Sequence, residues 1–175
     1  MFLFFSPKMV LAGKLITELG IKTTAEKFFK LFSSELHEVQ NVCERVHETK
    51  LHRGDDWHDT DKVLHWTYVI DNYLYFSHNY ISKNGKVHTC YEIIEEVDEQ
   101  NKKSTFKLFG GDIDEDYKVF KLILEVIDKR DGSATVKWTI EYEKSNEDID
   151  PPNGWMDYLN KLTRDVDAHI VKGAR

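Results

Sequence analysis

Eight histidines and two cysteines are the residues of this chain best able to bind a metal or move a proton. His47, His52 and His58 sit close together in sequence. Their spacing matches neither a pair one helical turn apart nor a cysteine-paired zinc motif, and the segment reads as a strand end and a loop. No metal site is expected. Cys43 and Cys90 form no Cys-x-x-Cys pair and are too few for a disulfide framework, so they read as reduced, partly buried thiols of a cytoplasmic protein. No Gly-x-Ser-x-Gly occurs, and nothing marks a Ser-His-Asp or Cys-His triad. No cofactor is expected either. What remains is general acid–base chemistry. His65, His88, Tyr91 and Glu92 lie in strand-like segments, where burial shifts a pKa. These groups could serve a cavity enzyme, or they could simply bond to a ligand or line a wall. The second reading is preferred, so binding without turnover is expected.

The elements that must position such groups are legible from periodicity. Residues 13–22 alternate as a strand, and Thr23-Thr24 then signals a helix N-terminus ahead of Phe28, Phe29, Leu31 and Phe32. Ser33-Ser34 breaks that helix, and a weaker one follows over Glu35–Val39. Strands are expected over Cys43–Leu51, Val63–Asp71, residues 86–97, Ser104–Phe109, Tyr117–Ile127 and Ala134–Glu143. Polar turns separate them, including Gly110-Gly111-Asp112 and the Asp-Gly hairpin signal in Asp128–Ser133. In the last strand Val136, Trp138, Ile140 and Tyr142 face one way, and alternate polar residues face the other. Pro151-Pro152 marks a linker. Beyond it Trp155, Leu159, Leu162, Val166 and Ile170 form one helical stripe, with Tyr158 at its edge and Gly173 as a stop.

A meander with one apolar face must cover that face, and the long helix is the obvious cover. A curved sheet around one helix need not fill the space between them, and that gap is a ligand site in prospect. Phe106, Leu108, Phe120, Leu122, Val136, Trp138 and Ile140 are expected to face the helix, with Leu159, Leu162 and Val166 facing back. On the strand from Val63, hydrophobicity points Leu64, Trp66, Tyr68 and Ile70 inward.

The net charge of −7 offers no broad electrostatic footprint for nucleic acid, and none is expected as a partner. The apolar start, Phe2 to Phe5, is too short for a signal-peptide core or a membrane span. No stable membrane insertion is expected. Residues 1–9 read as an extension outside one domain over residues 10–173, which is expected to be a monomer or weak dimer.

The chain resembles the major latex proteins, within the birch-pollen-allergen and pathogenesis-related class-ten superfamily of plants. The matching stretches are Gly13-Lys-Leu-Ile-Thr-Glu18, Ala25-Glu-Lys-Phe28, Trp66-Thr-Tyr-Val-Ile-Asp71, Gly111-Asp-Ile-Asp-Glu-Asp-Tyr-Lys118 and Trp138-Thr-Ile-Glu-Tyr-Glu-Lys144. The resemblance implies an α+β helix-grip fold, in which a seven-stranded antiparallel sheet, two short helices and a long C-terminal helix enclose a hydrophobic cavity. It implies binding of a small hydrophobic ligand, with a link to defence or stress. The expected lining is His65, Tyr91, Phe106, Leu108, Phe120, Leu122, Trp138, Tyr158, Leu159, Leu162 and Val166. Alignment to the family hairpin turns His65, Thr67 and Val69 inward, against hydrophobicity, and is followed here. A few superfamily members are cavity enzymes of specialised metabolism, which is the alternative function. Hormone receptors of the superfold carry a proline in a gate loop. The turns at Asp98–Lys103 and Gly110-Gly111-Asp112 have none, against that role.

Two places depart from the pattern. The loop Gly54-Asp-Asp-Trp57 has few glycines, and its aspartates would repel a phosphate, so no nucleotide cradle is expected. Residues 72–84 read as an insertion at a hairpin tip.

Overall fold

The computed structural model describes the chain from Val10 to Ala174, apart from residues 71–72, 77–78 and 83–84. The expected extension over residues 1–9 lies outside the described residues.

β1 (Ala12–Ile21) alternates as expected. Thr24 caps α1 (Ala25–Ser33), its hydroxyl accepting the Lys27 N–H at 3.4 Å. The helix ends where the paired serines predict, with the Ser34 hydroxyl donating to the Lys30 carbonyl at 3.0 Å. A 3-10 turn (Leu36–Glu38) leads into α2 (Val39–Val42), and β2 follows over Val46–Arg53. The strand expected from Cys43 therefore starts later. Cys43 ends α2 instead, its N–H donating to the Val39 carbonyl at 3.0 Å.

β3 (Val63–Ile70), β4 (Tyr73–Phe76) and β5 (Asn79–Ser82) come next, then β6 (Lys86–Asp98) and β7 (Lys103–Phe109). The chain continues through α3 (Gly111–Asp116), β8 (Tyr117–Asp128), β9 (Ala134–Lys144) and α4 (Asn153–Gly173). Seven strands form one antiparallel sheet in the order β1-β9-β8-β7-β6-β3-β2, while β4 and β5 pair only with each other. β4 and β5, which fall within the insertion expected over residues 72–84, thus stand outside the main sheet, and the rest of that insertion lies outside the described residues.

Gly110-Gly111-Asp112 is more than the expected turn, because it starts α3. Gly110 and Gly111 have φ of 65° and 52°, where L side chains are rare. A Cβ at Gly111 would also run into the Thr89 carbonyl of β6. That close approach lets the Asp112 carboxylate accept the Thr89 N–H at 2.7 Å.

α4 buries Trp155, Tyr158, Leu159, Leu162, Thr163 and Val166 against the sheet. Phe106, Leu108, Phe120, Leu122, Val136, Trp138 and Ile140 are buried opposite, as the alternation predicts. Each such side chain contributes roughly 1.5–3 kcal/mol of burial. Two polar ties fix the position of α4. The Asp167 carboxylate accepts the N–H groups of Lys22 and Thr23 at 2.9–3.1 Å, and the Thr17 hydroxyl donates to Asn160 Oδ1 at 2.9 Å.

On β3 the family alignment fails and hydrophobicity holds. Leu64, Trp66, Tyr68 and Ile70 are buried, while His65, Thr67 and Val69 are half-buried on the other face. Side chains alternate along a strand, so only one set can face α4, and the larger apolar set gains more there.

Candidate functional site

An interior space of about 50 Å³ lies between the sheet and α4. Trp66, Phe106, Leu108, Leu122 and Trp138 wall it from the sheet, and Trp155, Tyr158, Leu159 and Leu162 wall it from the helix. Phe32 of α1, Leu36 and Val39 close one end. Pockets that hold drug-sized ligands span roughly 300–1,000 Å³, so this space is far smaller than those and an organic guest requires its wall to move. Rings fill much of what the architecture leaves open. Trp155 packs at 5.0–5.3 Å from Phe120, Tyr68 and Tyr158, and Phe32 packs edge-on to Trp138 at 5.5 Å. Tyr68 and Trp155 also wall a second, wider space of about 380 Å³, whose rim carries Asp112, Asp116, Asp148 and Asp150.

The expected lining residues separate into three groups. Phe106, Leu108, Leu122, Trp138, Tyr158, Leu159 and Leu162 do line the space. Phe120 and Val166 are buried but stand outside its wall. His65 and Tyr91 are on the far face of the sheet, which corrects their assignment to the lining. They pair across β3 and β6 with ring centroids 5.1 Å apart, and Tyr91 also packs on His52 and Phe109. The cause is the β3 register: turning Trp66 inward turns His65, and its partner Tyr91, outward.

Glu92 is the residue whose role sequence reasoning left least defined. It was a candidate acid or base, but its position in the wall was not foreseen. It lies between Leu64 and Leu108 in the register of β3-β6-β7, on the apolar side of the sheet. Burial pushes its carboxyl up to about 8, opposed by the Trp66 indole and the Lys62 ammonium. The Trp66 indole favours the charged form without forming a bond of good geometry, since Trp66 Nε1 and Glu92 Oε1 both lack a hydrogen-bond partner. The other indole in the wall differs. Trp138 Nε1 donates to the Thr163 hydroxyl at 2.9 Å, which donates in turn to the Leu159 carbonyl at 2.8 Å.

The other candidates for chemistry have structural neighbours. Cys43 and Cys90 are buried free thiols, and burial pushes both up, away from a reactive thiolate. His88 is pushed down by burial, against the pull of Asp112 at 3.5 Å. In the loop after β2, the Asp59 carboxylate accepts the N–H groups of Asp55 and Asp56 at 2.6 and 2.9 Å. These loop N–H groups are thus taken by the chain's own carboxylate. Among the described residues, no group of three or more His, Cys, Asp or Glu is placed to hold a metal ion.

Residues 10–173 match the model of the pathogenesis-related protein Bet v 1 family. The chain belongs to that family. Its relatives there are major latex proteins. MLP-like protein 43 of Arabidopsis thaliana is 31% identical over 92% of this chain and 94% of its own length. Major latex protein 146 of Papaver somniferum is 29% identical over 91% and 92%. The crystal structure of major latex-like protein 151 from Panax ginseng superposes with a TM-score of 0.78 at 32% identity, covering 91% of this chain and 97% of that one. The Bet v 1 fold expected from the resemblance is thus shown. Among the described residues, no helix is long and apolar enough to cross a membrane.

Proposed function

We propose that this protein is an intracellular binding and carrier protein for a compact hydrophobic plant metabolite or hormone. The observation that carries this reading is the largely apolar space between the sheet and α4. A filled core would have closed it, since protein interiors pack to crystal-like density. A ligand larger than the space enters by a swing of the Trp155 ring, which joins it to the wider opening that Trp155 and Tyr68 share. The family's description as pathogenesis-related supports a role in defence or stress.

Titration with the neutral fluorophore N-phenyl-1-naphthylamine tests the reading. Enhanced emission is expected, saturating at one probe per chain. Leu36→Trp, which fills the space, is expected to remove the enhancement. No enhancement with folded wild-type protein would overturn the reading.

One observation favours a second reading, a cavity enzyme. Glu92 is a buried carboxyl with a raised pKa inside the wall, as a general acid requires. Turnover of a cavity-bound substrate that disappears in Glu92→Gln, with binding retained, would establish it.

A further inference from the structure

Buried polar groups are nearly always hydrogen-bonded, so two unpaired ones in a single wall need an explanation. Trp66 Nε1 and Glu92 Oε1 are such a pair. Both residues line the interior space, and each is only 7% exposed. Trp66 pairs across β3 and β6 with Cys90, which makes Glu92 its diagonal neighbour on the same face. Leu64 and Leu108 flank Glu92 in register, and Tyr68, Cys90 and Tyr158 share the lining with it.

Resting on the carrier reading above, we propose that the cavity selects molecules bearing one neutral oxygen, a ketone or a hydroxyl, on an apolar body. The Trp66 indole N–H donates to that oxygen, and the Glu92 carboxyl forms the second bond. The donor inventory sets this choice. An indole N–H can only donate, and a protonated carboxyl can also donate. A carbonyl oxygen has two lone pairs and takes both. A hydroxyl accepts from Trp66 and donates to Glu92. A ligand carboxylate would bring an uncompensated charge into an apolar wall and is disfavoured.

The groups around Glu92 are consistent with a neutral carboxyl. Lys62, from the segment before β3, is the cation that acts on it. Cys90 of β6 and Tyr158 of α4 also face it, and burial raises the pKa of each. Both therefore stay neutral in the range where Glu92 is protonated.

Acetophenone and α-methylstyrene test the proposal, since they share a shape and differ only in C=O against C=CH₂. Their affinities are measured by calorimetry for wild-type protein and for Trp66→Phe, Glu92→Leu and Glu92→Gln, each first checked for an intact thermal transition. The affinity ratio, ketone over alkene, is expected to fall about tenfold in Trp66→Phe and in Glu92→Leu. It is expected to persist in Glu92→Gln, whose amide still donates. In wild-type protein the ratio falls as pH rises through about 8, and in Glu92→Gln it stays flat. An unchanged ratio in both Trp66→Phe and Glu92→Leu, with the alkene still bound, overturns the proposal and leaves the carrier reading standing, the pair then being served by water alone. If folded wild-type protein binds neither molecule, the carrier reading falls, and this one with it.

Discussion

Two tryptophans face the same cavity from the same sheet, and they are supported in opposite ways. Trp138 sits on β9 across from α4, and its indole N–H is taken by Thr163, whose own hydroxyl is taken by Leu159. That end of the cavity is complete without a guest. Trp66 sits on β3 with its N–H unpaired, beside a carboxyl oxygen that is also unpaired. That end is built at a cost to stability, and such costs are retained where a site needs them. The contrast separates the part of the wall that holds the fold together from the part that is left for recognition.

The sharpest way to break this contrast is to remove the costly carboxyl. The Glu92 pKa is about 4.5 unfolded and about 8 folded. Below pH 4.5 both states hold the proton and there is no penalty. Between the two values the unfolded chain releases its proton and the folded one keeps it. Stability then declines as pH rises, by at most about 1.4 kcal/mol per pH unit. Glu92→Leu removes this slope, so urea unfolding at pH 5 and pH 8 should show the variant gaining on wild type by on the order of 4 kcal/mol at the higher pH. Equal pH dependence in the two proteins would show that Glu92 is not held neutral by burial.

The opposite sign is expected at the satisfied end. Thr163→Val keeps the side-chain shape but leaves the Trp138 N–H without its partner, and should cost about 1–3 kcal/mol in the same assay. Thr163→Ser, which keeps the hydroxyl, should recover much of it. A smaller effect is expected on the far face of the sheet. Tyr91→Ala loses ring contacts with His52, His65 and Phe109 and the packing over Gly110, so about 1 kcal/mol of stability and no affinity for a guest under α4 should be lost. Reduced probe binding in Tyr91→Ala would return Tyr91 to the cavity wall.

Much of the fold was legible because alternation and helical spacing are strong along this chain. Val136, Trp138 and Ile140 on β9, and the stripe from Trp155 to Val166, announce which faces meet. What stayed hidden depends on contacts between distant segments. α3 begins within a Gly-Gly-Asp sequence that reads as a plain turn, and its role comes from the approach of Gly111 to Thr89 on β6. His65 and Tyr91 were misplaced because a family alignment was preferred to the apolar set on β3. That set was the better physical guide. Glu92 was legible as a titratable group in a strand. Its inward position was not, because a glutamate carries no sign that its neighbours across the sheet are Leu64 and Leu108.

The central claim is that the space under α4 admits an apolar guest. It is tested most directly by following the methyl resonances of leucine, isoleucine and valine by NMR during titration with α-methylstyrene. Leu36, Val39, Leu159 and Leu162, which line the space, should shift and saturate at one equivalent. Ile16 and Val87, exposed at 55% and 50%, should not move. Shifts confined to the exposed residues, or none at saturating guest, would contradict the account.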